Sequence, residues 1–152
     1  MKKFLTPFFL AALFATLAGC SSNTSNTTTG VKLELTGLAR ATDGSTQVAW
    51  RVVNPNIISY LLAEASHRIY LDGVLIGTVN DRDPVAIPAQ AHVDLTSRLT
   101  VAGLAAERTL AAAAAAGSGA YRVESTILMR LYGDITDKSS LSAAGKVPVT
   151  AK

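Results

Sequence analysis

Two imidazoles, His67 and His92, are all the histidine chemistry that the 152 residues carry. A catalytic base needs a substrate or nucleophile proton within reach and a third group to orient it. His67 precedes Arg68, and His92 comes two residues before Asp94, each inside a stretch that alternates apolar with polar side chains. Both therefore read as surface or partly buried strand residues rather than as bases. Serines are numerous, but no Gly-x-Ser-x-Gly elbow presents one as a nucleophile. Asn80, Asp81 and Asp83 place three oxygen-bearing side chains within four residues, which raises a calcium clip. Calcium takes six or more oxygens, the EF-hand spacing is missing, and Pro84 closes the stretch, so a solvated turn is expected. One cysteine and two histidines leave no structural zinc set. No basic run interleaved with aromatics points to nucleic acid. These residues predict a protein that is not an enzyme, with no cofactor and no metal.

Cys20 is the exception, because of the stretch that precedes it. Lys2 and Lys3 open the chain, residues 4–17 are mostly apolar, and Leu17-Ala18-Gly19 brings small residues up to the single cysteine. The apolar run falls short of the roughly 20 residues that a spanning helix needs, so it reads as a signal peptide over residues 1–19. Leu-Ala-Gly-Cys resembles the bacterial lipobox, which implies lipid attachment at Cys20 after cleavage before it. Several acyl chains suffice for stable anchoring. Residues 20–30 end in Ser-Ser-Asn-Thr-Ser-Asn-Thr-Thr-Thr-Gly, with nothing large enough to bury, and predict a flexible tether. Stretched out, it reaches about 35 Å from the lipid. The expected location is the bacterial cell envelope, at the outer membrane facing the periplasm. Cleavage removes two lysines and lowers the formal charge from +3 to +1, so the sequence pI near 9.2 overstates the basicity of the mature chain.

What remains, residues 31–149, must supply one folded domain, and a composition of 49% hydrophobic and 16% charged residues opposes disorder. Val31, Leu33 and Leu35 alternate with Lys32, Glu34 and Thr36, with a bulge expected at Gly37. Asp43-Gly44 turns the chain into Val48, Trp50 and Val52, a strand whose Trp50 should be core. Asn54-Pro55-Asn56 brakes it, because Pro55 has no amide hydrogen for a ladder. Residues 57–65 read as an apolar loop whose Ile58, Leu61 and Leu62 could cross one end of the core. Asp72-Gly73 is the strongest hairpin signal. Pro88 bars its neighbourhood from a central strand, and Pro148 suggests an edge strand near the C-terminus. Val93, Leu95, Leu99 and Val101 alternate with polar residues, and Ser97 is the one polar residue on their apolar face. Residues 102–116, with alanines at 111–116, predict a helix ended by Gly117. Tyr121, Val123, Ile127, Met129 and Leu131 resume alternation. No βαβ rhythm appears, so the class is all-β: an antiparallel sandwich of about seven strands with one short inserted helix.

The order of three signals carries a family resemblance. A strand ending in Asn54-Pro55-Asn56, the Asp72-Gly73 hairpin, and Ile87-Pro88-Ala89 leading into another strand resemble the type 2 late-embryogenesis-abundant (LEA14-like) family. Its domain is also called the water stress and hypersensitive response (WHy) domain. The resemblance implies a fold similar to a fibronectin type III or immunoglobulin-like β-sandwich, a role in desiccation or water stress, and Asn54, Pro55 and Asn56 as a family motif, either a recognition loop or a turn that its local backbone chemistry already accounts for. Expected partners are the membrane, through the N-terminal lipid, and protein clients in the envelope. The alternative is an envelope scaffold or assembly lipoprotein that binds one protein partner without a stress role.

Overall fold

The computed structural model describes residues 30–131 and 135–151. The expected signal peptide, Cys20 and all of the expected tether but Gly30 lie outside the described residues. The first hairpin joins β1 (Lys32–Arg40) to β2 (Thr46–Asn54), and its register slips between Leu35 and Gly37, where the sequence predicts a bulge. The second joins β3 (Tyr60–Leu71) to β4 (Val74–Asp81) through Asp72 and Gly73, both at positive φ. Two left-handed residues give a two-residue turn the twist that flanking strands require, which is why Asp-Gly occupies it. β3 begins at Tyr60, so most of the expected loop over residues 57–65 is strand. Its long partner β8 (Ser118–Arg130) pairs along it from Leu61 to Leu71, and that ladder overrides the weak local signal.

Seven long strands are completed by β6 (Ala91–Arg98) and β9 (Thr136–Ala151), and two short ones, β5 (Val85–Ile87) and β7 (Thr100–Val101), are added to them. The hydrogen-bonded order is β6-β2-β1-β9-β8-β3-β4-β7, with β5 on β3. This corrects the expected count of about seven and the expected antiparallel pairing. β1 and β9 run parallel, at Leu38–Val149, Ala39–Thr150 and Arg40–Ala151, so the sheet is mixed. β9 pairs with β8 alone up to Pro148 and with β1 alone from Val149 to Ala151, so Pro148 stands where the strand has one unpaired side, as an edge residue would, and at the point where it changes partners. A residue with no amide hydrogen fits where a strand changes partners.

A second strand changes partners in the same way. β6 pairs with β2, Leu99 intervenes, and β7 pairs with β4. The two ends of the sheet order are thus consecutive in the chain, and the sheet curls because one extended segment serves both of its ends. Leu99 N donates to Thr46 O at 2.9 Å and Ala102 N to Ile76 O at 3.0 Å around that crossing. Gly77 permits it: a Cβ there would stand 2.2 Å from the Thr100 carbonyl oxygen.

α1 (Leu104–Ala116) follows the crossing, and Gly117 ends it in the left-handed conformation, as the alanine run and the glycine predict. Ala106, Leu110 and Ala113, spaced four and three apart, form its buried stripe. Leu110 and Ala106 join a core that includes Leu38, Val48, Trp50, Ile69, Leu71, Ile76, Val123, Met129 and Val147. Burying one leucine of this kind contributes about 2 kcal/mol. Arg40 and Glu107 form an ion pair that links the end of β1 to the helix.

Candidate functional site

Inside the curl, toward the Asn54 end, lies a cavity of about 110 Å³. Its walls are chiefly apolar, from Leu33, Val52, Leu62, Leu95, Ile127, Met129 and Leu141. Strand alternation aims these side chains inward, and Trp50, His67, Ser97 and Asp81 reach the same space from β2, β3, β6 and β4. Trp50 is core, as expected, at 1% exposure, and it is also a wall of this cavity.

A hydrogen-bonded series crosses one wall. Trp50 Nε1 donates to Ser97 Oγ at 3.2 Å, and the Ser97 hydroxyl donates to Asp81 Oδ2 at 2.5 Å. The series ties β2 and β6 to β4 across the inside of the curl. Opposite it, the His67 ring stands 4.5 Å from the Trp50 ring, tilted by 35°. His67 Nδ1 lies 2.7 Å from Ser125 Oγ on β8. His67 is 3% exposed, which corrects the expectation of a surface or partly buried residue. Burial takes water from its charged form and lowers its pKa to about 4, against a smaller opposing pull from Asp81. At neutral pH the ring is therefore uncharged, and its hydrogen bond with Ser125 serves it in that form.

His92, by contrast, is exposed, as expected of a surface strand residue. Asn80 and Asp81 have separate commitments: Asn80 Oδ1 accepts from the Ser66 hydroxyl at 2.8 Å, while Asp81 accepts from Ser97. Among the described residues no group of three or more histidine, cysteine, aspartate or glutamate side chains gathers as a metal site would. Ser97 stood out in the sequence as the polar break in an apolar face. Ser125 gave the same signal, between Val123 and Ile127, and sequence reasoning passed over it. The role of Asp81 had no local signal, because its partner is 16 residues away.

Asn54, Pro55 and Asn56 lie at the mouth-side end of the sheet, after β2. Asn54 is 1% exposed. Its Nδ2 donates to Ile58 O at 2.8 Å and to Pro88 O at 3.0 Å, and its Oδ1 accepts from Asn56 N at 3.0 Å. One side chain therefore fixes its own turn and the strand end carrying Ile87-Pro88-Ala89. Pro55 is exposed, and Gly30, where the described chain begins, is packed near its ring. Ile57 is 82% exposed in the following turn, and Ile135 is 61% exposed in the β8–β9 connection at the same end. Cys20, the expected site of lipid attachment, lies outside the described residues.

No protein-family profile matches the chain. No curated protein matches it either. Among solved structures, AT1g01470 from Arabidopsis thaliana aligns at a TM-score of 0.50 and 15% identity, over 78% of this chain and 78% of its own. A protein from Archaeoglobus fulgidus aligns at 0.46 and 16% identity, over 78% of this chain and 94% of its own. A protein provisionally named late embryogenesis abundant (LEA) aligns at 0.45 and 16%, over 78% of this chain and 72% of its own. The likeness to AT1g01470 is one of fold alone, since folds host many functions. The chain is thus a β-rich domain similar in fold to AT1g01470, and an LEA-named protein stands among its structural neighbours.

Proposed function

We propose that the chain is a non-enzymatic, LEA14-like contact module of the bacterial envelope, held to lipid through Cys20, that protects neighbouring proteins or membranes during water loss. In this reading the curled sheet is a variant of the seven-strand sandwich, with β5 and β7 as corner pieces. The observation that carries the proposal is the bond from Asn54 Nδ2 to Pro88 O. It joins Asn54-Pro55-Asn56 to Ile87-Pro88-Ala89, the two motifs on which the sequence resemblance stands. A buried amide satisfied by two carbonyls costs about 1 to 3 kcal/mol if removed, which gives a physical reason for the motifs to occur together.

Gly30, near Pro55, lies at the end where Ile57 and Ile135 are exposed, which supports an anchored arrangement with that end toward the lipid. Exposed isoleucines at the lipid-facing end suit contact with membranes or unfolding clients. Drying a labile enzyme with the full chain tests the function. Residual activity well above that given by an equal mass of albumin is expected, and equality overturns the reading. Crosslinking in cells separates it from the scaffold alternative, which requires one dominant stoichiometric partner where a protectant gives diffuse contacts.

A further inference from the structure

We infer that the cavity between β2, β3, β4 and β6 is a binding site for a small organic cation with an apolar body, an alkylammonium. The inference goes beyond the protective role and does not depend on it.

Charge on the lining is one-sided. Asp81, Asp83 and Glu64 all line the cavity, and no lysine or arginine does so among the described residues. His67 adds no positive charge near neutral pH. A carboxylate or phosphate ligand would meet three like charges, while Arg82 and Lys138 line a neighbouring pocket with Glu64 and Asp81 rather than this one.

The hydrogen-bonding capacity left over is one-sided too. The Trp50 N–H and the Ser97 O–H are both spent along the series that ends on Asp81. Each carboxylate offers about four acceptor sites, and Asp81 Oδ2 is engaged by one hydroxyl. What the three carboxylates still present is acceptors, which an ammonium group with three donors matches and a neutral hydrocarbon leaves unfilled.

The remaining surface is suited to a short hydrocarbon. Leu62, Leu95, Ile127 and Met129 surround it, and Trp50 lines it beside His67. A volume of about 110 Å³ admits a body of a few heavy atoms but no drug-sized molecule. Exposed Asp83 and Glu64 and half-buried Asp81 give the charge a path inward from water, so the cation keeps an acidic partner as it enters.

Trp50 is the only tryptophan in the chain, so its emission reports the cavity directly. Titrating the full chain at pH 7.5 with n-butylammonium should give a saturable change in that emission. n-Butanol should bind at least about tenfold more weakly, a difference of about 1.4 kcal/mol, and butyrate should give no change. Asp81→Asn should weaken butylammonium binding at least about tenfold. Asp83→Asn, altered on an exposed side chain, should weaken it less and leave the unfolding midpoint unchanged, which separates lost charge from lost fold. Equal affinity for butanol, unaltered affinity in both variants, or no saturable response would each overturn the assignment. Sodium chloride at matched ionic strength reproducing the change would overturn it as well.

Discussion

The two ends of the curled sheet close by different means. At the α1 end the backbone does the closing: β6 runs on into β7, β9 passes from β8 to β1, and the helix lays Ala106, Leu110 and Ala113 over the crossings. Toward the Asn54 end the walls are joined through a side-chain bond, Ser97 to Asp81 from β6 to β4, with Trp50 and the cross-strand pair His67–Ser125 beside it, and a cavity remains between them. Backbone ladders tolerate no gap, because each unpaired buried amide or carbonyl is costly. Side-chain bonds span longer distances and leave space beside them. The difference teaches that the α1 end is built for rigidity, while the other end keeps room and charge for a guest.

Four changes would break or sharpen this contrast. Gly77→Ala should have the largest effect, since a Cβ 2.2 Å from the Thr100 carbonyl oxygen forces the β7 crossing away from β4. A loss above about 3 kcal/mol in urea unfolding is expected, and a near-neutral result would mean that the crossing is not a rigid closure. Next comes a paired comparison. Leu110→Ala, at 0% exposure on the inner face of the helix, should cost about 3 kcal/mol, whereas Leu95→Ala, at a half-buried position on the cavity wall, should cost about 1 kcal/mol. Equal losses would erase the distinction between a packed end and a roomy one.

The third is acid sensitivity at the cavity. His67 has a pKa of about 4 folded against 6.5 for the free side chain, so the unfolded chain holds more protons between those values. Stability from this group is complete above pH 6.5 and is lost as pH falls toward 4, by up to about 3 kcal/mol. Urea midpoints measured across that range should fall less steeply in His67→Gln than in the parent chain. Identical slopes would mean that His67 is not held neutral. The smallest expected change is at the closed end, where Thr46 Oγ1 is buried without a partner among the described residues. Thr46→Val should raise stability by about 1 kcal/mol, read from thermal unfolding, because it removes an unsatisfied hydroxyl and keeps the branched shape.

Much of the fold was legible because its signals are local. Alternation marked β1, β2, β6 and β8, Asp72-Gly73 marked its hairpin, and Gly117 marked the end of the alanine helix. Each depends on the preferences of a few adjacent residues. β3 was misread over its first turn because residues 60–65 alternate poorly, with Leu62 and Ala63 both buried at a register slip against β8. Pro148 marked a strand with one unpaired side but not the change of partner beside it, because a missing donor fits both. The site was less legible still. Ser97 and Ser125 were visible as polar breaks in apolar faces, but their partners, Asp81 and His67, lie on other strands.

By itself, then, the sequence determined the β class, the turn positions, the single helix and the inward faces of most strands, since backbone preference and side-chain period act between near neighbours. Only the tertiary structure decided that β1 and β9 run parallel, that the sheet curls through two partner-changing strands, and that His67 is buried and uncharged beside Trp50. Those outcomes depend on contacts between residues far apart in the chain, whose burial and electrostatics no local pattern records.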